Sequence, residues 1–318
     1  MLIFKYVGPD SVSKVFVSAN GLSIRFGLPK HYNDPYELFL QPDPPLESEE
    51  HRAFYAYFLG KVVETPVACF SRRPDSVVMW AHYGKECAGI CLGLDEDVLV
   101  KELPIAYAGD IEYADGPATI DSGILKYAYM TGKRRHALAL IAAAHRAAYF
   151  RKRTDWQYEA ERRIVVPPNA VEDLDGVLLG RFSRAALRCV ILGPNAESSV
   201  KDLCKARARE WSVPIVQLRI GARTFKPFFT DSDLRASTWS GDDFQSIASV
   251  CGGCFEPADL SESGMCQWCS INEEAQNSAA GRSLLAISLS LGLDKGLPFE
   301  FEGMEPRGRL VSQSKPTK

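Results

Sequence analysis

The chain has 318 residues, 46% of them apolar, with 37 basic side chains against 40 acidic ones and a net charge of -3. So much apolar material excludes a mainly disordered chain and predicts one large core with something small beside it. A charge this close to zero excludes a whole-chain field that gathers polyanions, so any nucleic-acid or acidic-lipid binding needs a local patch.

The opening MLIFKYVG has no basic leader, and its apolar run is too short for a signal peptide. It begins a series of short strand patterns, LIFKYV, VFVSA, IRFG, PVACFS, GICLGLD and PIAYAGDIEYA, punctuated by Gly, Pro, Asn and Asp. These predict an antiparallel or mixed sheet. Between the early strands, HYNDPYE gathers His31, Asp34 and Glu37; the turn chemistry of Asn33, Asp34 and Pro35 favours a structural corner over a metal site. PDSVVMWAHYG reads as one or two helical turns, started by Pro74 and Asp75 and stopped by Gly84. On their own, Trp80 and Tyr83 read there as core aromatics, and His82 as a hydrogen-bonded structural histidine.

Residues 134–153 predict an alanine-rich helix with Leu138, Ile141, His145 and Tyr149 on one face. Its His136 and His145 lie nine residues apart and do not pair as ligands. Between positions 133 and 163 nine Lys and Arg stand against Asp155, Glu159 and Glu161, a basic run whose plain reading is a solvated face. The helix leads into DWQYEAERRIVVPP. In an extended strand Glu159, Glu161 and Arg163 share one face, with Tyr158, Ala160, Ile164 and Val166 on the other. Like charges on one face repel, so the pair is balanced either by Arg162, Arg163 or the basic helix, or by a ligand that develops positive charge.

Further on, GVLLGRF, LRCVILGP, a helix from about 197 to 211, VPIVQLRI and RTFKPFF continue the strand and helix alternation. ILGPNAESS lacks both Walker and G-x-G-x-x-G spacing, and no G-x-S-x-G occurs, so neither a phosphate loop nor a serine hydrolase is indicated. Residues 230–247, rich in Asp, Ser and Thr, read as a linker. CGGCFEPADLSESGMCQWC then pairs Cys251 with Cys254 and Cys266 with Cys269, eleven residues apart. Two such turns complete a closed tetrahedral thiolate site, so structural zinc is expected. Ser270 and Glu273 have capping-box spacing ahead of a helix with Ala280, Leu284, Ile287 and Leu291 on one stripe. Trp268 reads as a packing residue before a base-stacking one. Cys69, Cys87, Cys91, Cys189 and Cys204 stand singly, as buried thiols of a reducing compartment do. No stretch reaches the roughly 20 apolar residues of a membrane span, LLAISLSLGL being about half that, so a cytoplasmic protein without membrane contact is expected.

FKY near the start, NDPYE at 33–37, CFS at 69–71, MWAHYG followed by GICLG, and DWQYEAERRIV occur in this order. This set resembles the bacterial domain-of-unknown-function family numbered twenty-nine seventy-one, over about residues 1–229. A second similarity is to ADP-ribosyltransferases, in which an Arg or His on the first core strand, a Ser or Thr on a second and a Glu-x-Glu opening a later strand line the NAD cleft. EAERRIVVPP looks like the last of these and FSRRPDSVVMW, with Ser71, like the second; Lys5 and Tyr6 stand where Arg or His is usual. The resemblance implies that Glu161 stabilises the oxocarbenium-like sugar by gripping the ribose. It gives Glu159 the acceptor and Ser71 the support of Glu161, while Tyr6 and Lys5 contact the dinucleotide and Trp80 or Tyr83 faces nicotinamide.

The expectation is therefore an α+β protein: a mixed, mostly antiparallel sheet with peripheral helices of ADP-ribosyltransferase type at 1–229, a linker at 230–247, a zinc ribbon with a short helix at 248–293 and a loose tail at 294–318. Its expected activity is ADP-ribosyl transfer from NAD to an unspecified protein or nucleic acid, or NAD hydrolysis, in a toxin or defence role. Two alternatives stand beside it. In one, Asp34, Glu37, Glu159 and Glu161 hold magnesium in a nuclease-like nucleic-acid protein. In the other, a non-catalytic adaptor grips a protein or nucleic acid through the ribbon.

Overall fold

The computed structural model describes residues 1–16, 21–60 and 64–291, so the expected tail lies outside the described residues. In chain order the elements begin with β1 (Leu2–Val7), α1 (Val12–Val15), β2 (Gly21–Phe26), β3 (Leu40–Asp43), α2 (Glu49–Leu59), β4 (Val67–Ser71) and α3 (Val77–His82). They continue with β5 (Ile90–Asp95), α4 (Glu96–Glu102), β6 (Tyr107–Asp110), β7 (Glu112–Tyr113), β8 (Ala118–Asp121), α5 (Ser122–Thr131), α6 (Arg134–Tyr149) and β9 (Arg151–Lys152). After them come β10 (Glu161–Val165), β11 (Glu172–Leu174), β12 (Val177–Ser183), β13 (Leu187–Leu192), α7 (Ser198–Trp211) and β14 (Ile215–Arg219). The last are β15 (Phe228–Thr230), β16 (Ala236–Trp239), β17 (Phe244–Ser246) and α8 (Glu273–Ser290).

The chain divides into two compact units: Met1–Leu218 with Trp239–Phe244, and Arg219–Thr238 with the chain from Gln245 onward. In the first unit seven strands form a sheet in the order β14-β13-β5-β1-β4-β10-β6. Its described pairings are antiparallel except β13 with β14, which the crossover helix α7 joins in parallel. A second antiparallel sheet is β11-β12-β2.

β5 is buried from Ile90 to Leu94, with Ile90, Cys91, Leu92 and Leu94 at 0% exposure, as a central strand covered on both faces must be. Gly89 ahead of it admits no side chain, since a Cβ there would lie 2.1 Å from the Val7 carbonyl oxygen. One core cluster gathers Ile3, Val7, Leu92, Phe70, Ile164 and Trp211; another gathers Val67, Val165, Leu125, Leu140 and Tyr149 with α2, α5 and α6. Alternation along β10 divides Ile164 from Arg163 and Val165, and hence one cluster from the other. No helix among the described residues is long and apolar enough to cross a membrane.

Residues 230–247, read from sequence as a linker, contain β16 and β17. Trp239 stands edge-on to Phe4 at 4.9 Å and Phe244 to Trp239 at 5.1 Å, so aromatic packing orders part of this polar stretch within the first unit.

Candidate functional site

The three segments that the sequence singles out lie side by side. β1, β4 and β10 are consecutive strands, and Phe4 pairs with Ser71, which pairs with Glu161. β1 meets β5 along its whole length but shares only that one register pair with β4. Lys5 reaches across toward β4, its ammonium donating to the Cys69 carbonyl at 2.7 Å, and burial draws its pKa down.

Glu159 is not on a strand. Thr154–Glu159 is a 3-10 helix, Ala160 turns left-handed at φ 43°, and β10 opens only at Glu161. The alternation expected for Glu159 therefore fails, because the turn closes through the Ala160 N–H on the Gln157 carbonyl. The two carboxylates meet nonetheless through Lys152, whose Nζ is 2.6 Å from Glu159 Oε2 and 3.3 Å from Glu161 Oε2. Arg163, at 0% exposure, donates from Nε to Glu161 Oε1 at 2.7 Å, from Nη2 to Glu37 Oε2 at 3.0 Å and from Nη1 to the Tyr149 carbonyl at 2.8 Å. Three carboxylates (Glu37, Glu159, Glu161) against two cations (Lys152, Arg163) leave one negative charge in excess. Each buried ion costs several kcal/mol in lost hydration, of order, so the cluster holds only while every member is paired.

The two glutamates are pushed in opposite directions. Burial raises both, but Arg163 and then Lys152 outweigh it at Glu161 and hold its carboxyl at about 2. At Glu159 burial prevails over Lys152, with the Glu161 anion adding to it, and the carboxyl titrates above its ordinary value. Tyr83 donates to Glu159 Oε1 at 2.5 Å and accepts from Asn33 Nδ2 at 3.1 Å; burial and then the Glu159 anion push the phenol up. The Cys69 thiol is pushed to about 12, mainly by burial and next by Glu161.

Of the remaining expected residues, Ser71 does not touch the Glu161 carboxylate as the resemblance implied. Its hydroxyl donates to the Glu159 carbonyl at 2.6 Å and accepts the Arg73 N–H at 3.0 Å, bracing the turn before β10. Tyr6 donates to the Arg73 carbonyl at 2.7 Å and packs edge-on against Trp80 at 5.2 Å. Trp80 is wholly buried, its indole N–H on the Pro74 carbonyl, which is the core reading of that residue. The set proposed for magnesium is otherwise engaged: Asp34 Oδ1 accepts the Tyr36 N–H, and Glu37, Glu159 and Glu161 face Arg163 and Lys152.

Beside this cluster is a surface cleft of ≈ 440 Å³, lined by Asp34, Pro35, Tyr36, Arg153, Asp155, Trp156 and Tyr158. Glu161 is not among its lining residues and is only 4% exposed. Trp156 joins the two regions, since the Lys152 ammonium sits 4.6 Å from its ring centre. Arg163 and Lys152, the latter within the basic helix expected over 134–153, supply the balancing cations, and Glu37, grouped with the two glutamates in the magnesium reading, pairs with Arg163 instead; the aromatics of the cleft escape a reading that follows charge pairs along one strand. The aromatic spacing of DWQY and the Glu of NDPYE were the available signals.

In the second unit the Sγ atoms of Cys251, Cys254, Cys266 and Cys269 lie within 4.8 Å of one another, and all nine cysteines are free thiols. Among the described residues this is the one group of three or more such side chains placed to hold a metal ion. Cys251 Sγ accepts the N–H groups of Gly253 at 3.4 Å and Cys266 at 3.2 Å, and Cys266 Sγ that of Cys269 at 3.4 Å. Burial opposes ionisation of Cys251, but backbone donors, the Cys254 N–H first and then those of Cys266 and Gly253, bring its thiol down to about 6, while burial pushes the Cys254 thiol up to about 12. Two residues beyond Cys254, the buried Glu256 carboxylate accepts the N–H groups of Ala222 at 2.8 Å and of Arg223 and Thr224 at 2.9 Å each. The expected cap shifts: Asn272 Oδ1, not Ser270, accepts the Ala275 N–H as α8 begins. Ile287 and Leu291 are exposed, so α8 does not pack through that part of the expected stripe.

The sequence model of the family described as a protein of unknown function (DUF2971) matches residues 79–164. The match spans Trp80, Tyr83, Lys152, Glu159, Glu161 and Arg163, and it supports the resemblance to that family drawn from the ordered motifs. No curated protein and no solved structure matches the chain.

Proposed function

We propose that the first unit is an ADP-ribosyltransferase-like domain acting on NAD, by transfer or by hydrolysis, and that the four cysteines hold a structural zinc ion. The observation that supports the first reading is the in-register alignment of β1, β4 and β10, which places three segments far apart in sequence along one line. If these segments frame one reaction, they must be neighbours. The opposed ionisation of the glutamates fits the chemistry, as paired carboxylates with separated pKa values divide fixed-anion and proton-handling roles. Glu161 stays anionic and is the group to face a sugar becoming cationic. Glu159 exchanges protons through its bond to Tyr83. Ser71 positions both by fixing the turn between them.

A ribose reaches Glu161 only by displacing Lys152 or Arg163 from its oxygens. That requirement favours a second reading, in which the cluster is purely structural and the protein is a non-catalytic adaptor that grips its partner through the ribbon. Release of nicotinamide from NAD by the purified chain, with and without cell lysate as acceptor source, separates the two. The first reading expects turnover that falls on the order of 100-fold or more in Glu161→Gln, the usual cost of removing a transition-state charge partner. Absence of turnover under both conditions leaves the adaptor.

For zinc, Zn–S bonds of roughly 2.3 Å set a tetrahedral edge of about 3.8 Å. The 3.9 Å between Cys254 Sγ and Cys266 Sγ agrees with that edge. Four protein ligands leave no open position, so the ion would fold the ribbon and take no part in a reaction.

A further inference from the structure

From Ser122 to Thr154, a span that holds α5 and α6, the chain has no acidic residue and eight Lys or Arg. Three of the eight are engaged: Arg151 with Glu112, Lys152 with the two glutamates and Arg153 with Asp155. Among the described residues none of the other five, Lys126, Lys133, Arg134, Arg135 and Arg146, joins an ion pair. A merely solvated helix face usually interleaves both signs.

The free cations concentrate at the tip of the helical hairpin. Gly132, left-handed at φ 57°, ends α5, and Lys133 takes the cap position of α6 without any side-chain cap. Arg134 and Arg135 follow, and no acid occupies the first turn. A helix start favours negative charge, so cations there leave the tip doubly receptive to an external anion. Beside it, Tyr127 is 56% exposed and its ring lies 4.5 Å from that of His136, inclined by 41°. α2, which opens with Glu49 and Glu50, contacts α5 through His51 and Phe54 on Tyr129, and Asp121 is occupied capping the start of α5.

We propose that the α5–α6 hairpin docks single-stranded nucleic acid, with phosphates on Lys126, Lys133, Arg134 and Arg135 and a base on the Tyr127–His136 platform. Unpaired cations around an exposed aromatic face are the arrangement such strands bind, with sequence-tolerant stacking and salt-dependent affinity. A lipid surface is the competing occupant, since α5 exposes Ile124, Tyr127, Tyr129 and Met130 beside Leu138 of α6, and vesicle binding is therefore one outcome of the test. The proposal stands apart from any chemistry at Glu159 and Glu161.

The test is fluorescence anisotropy of the full chain with a labelled single-stranded oligouridylate, with phosphatidylserine vesicles as a separate arm. Affinity should fall roughly 50-fold between about 50 and 200 mM salt, as four phosphate contacts on a single strand imply. The triple variant Lys133→Glu, Arg134→Glu, Arg135→Glu should lose at least about tenfold in affinity, roughly the salt-linked share of its charges. It places acids where a helix start accepts them, so an unchanged circular dichroism spectrum shows it folded. Tyr127→Ala should weaken binding and keep the salt slope. Salt-insensitive binding, a folded triple variant that binds like the parent, or capture by vesicles with no binding of the oligonucleotide overturns the proposal.

Discussion

Glu161 is held in its ionised form by two cations inside a region that water does not reach, and that sets how the fold responds to acid. The folded carboxyl titrates at about 2, below the ordinary 4.5, so its stabilisation is complete above about pH 4.5. It is lost as the pH falls through the folded value. A shift of this size corresponds to about 3 kcal/mol. Glu159, displaced upward, acts in the opposite sense and favours the folded state on the acid side. Denaturant titrations between pH 2 and 5 should therefore show a steep acid loss in the parent that flattens in Glu161→Gln. At neutral pH the same variant leaves Arg163 and Lys152 short of a charge and should lose on the order of 3 kcal/mol. An unchanged acid limb would mean that the carboxylate is not held by these partners.

At the scale of elements, the junction between the 3-10 turn and β10 depends on β4. Ser71 both accepts from Arg73 and donates to the Glu159 carbonyl, so it ties the end of one strand to the approach of the next. Ser71→Ala should cost about 1–3 kcal/mol by leaving that carbonyl and the Arg73 N–H without their partner. It should also shift the titration of Glu159, which chemical-shift measurements against pH would detect; a shift in stability alone would make Ser71 a plain packing residue. The sequence revealed β1, β4, β5 and β10 because their apolar runs are long and punctuated, and it revealed the two Cys pairs because a closed thiolate site dictates its spacing. It misplaced Glu159 because Ala160 adopts a left-handed backbone that alanine gives no hint of. The buried face of α6 keeps part of the expected one. Tyr149 is buried and Ile141 packs partly against the core, but Leu140, Ala144 and Ala148 face inward while Leu138 is 55% exposed, because alanines flank these positions and a period read from few large side chains can slip. The tie from Glu37 to Arg163 was hidden for another reason: the two stand 126 residues apart and meet only once their elements have packed.

For the whole molecule, the two units rest on different physics. The first contains the apolar clusters on its sheet, whereas the ribbon buries few large side chains and leaves Phe255, Leu260 and Trp268 at 52%, 40% and 42% exposure. If the four cysteines hold the proposed zinc ion, stability of this segment comes from the metal, as free energy of binding becomes free energy of folding in such modules. Chelation should then melt the second unit and spare the first, visible as loss of one of two calorimetric transitions, and Cys254→Ser should do the same without chelator. A single unaltered transition after metal stripping would show that the sulfurs do not depend on an ion.

The Glu256 carboxylate receives three backbone donors from residues 222–224 while sitting two positions beyond the Cys254 sulfur. Those amides are thereby guarded by whatever keeps the ribbon folded. Their deuterium uptake is a remote gauge of occupancy at the sulfurs: slow while the ion is bound, quick once it leaves, and readable without any probe touching the ligands themselves.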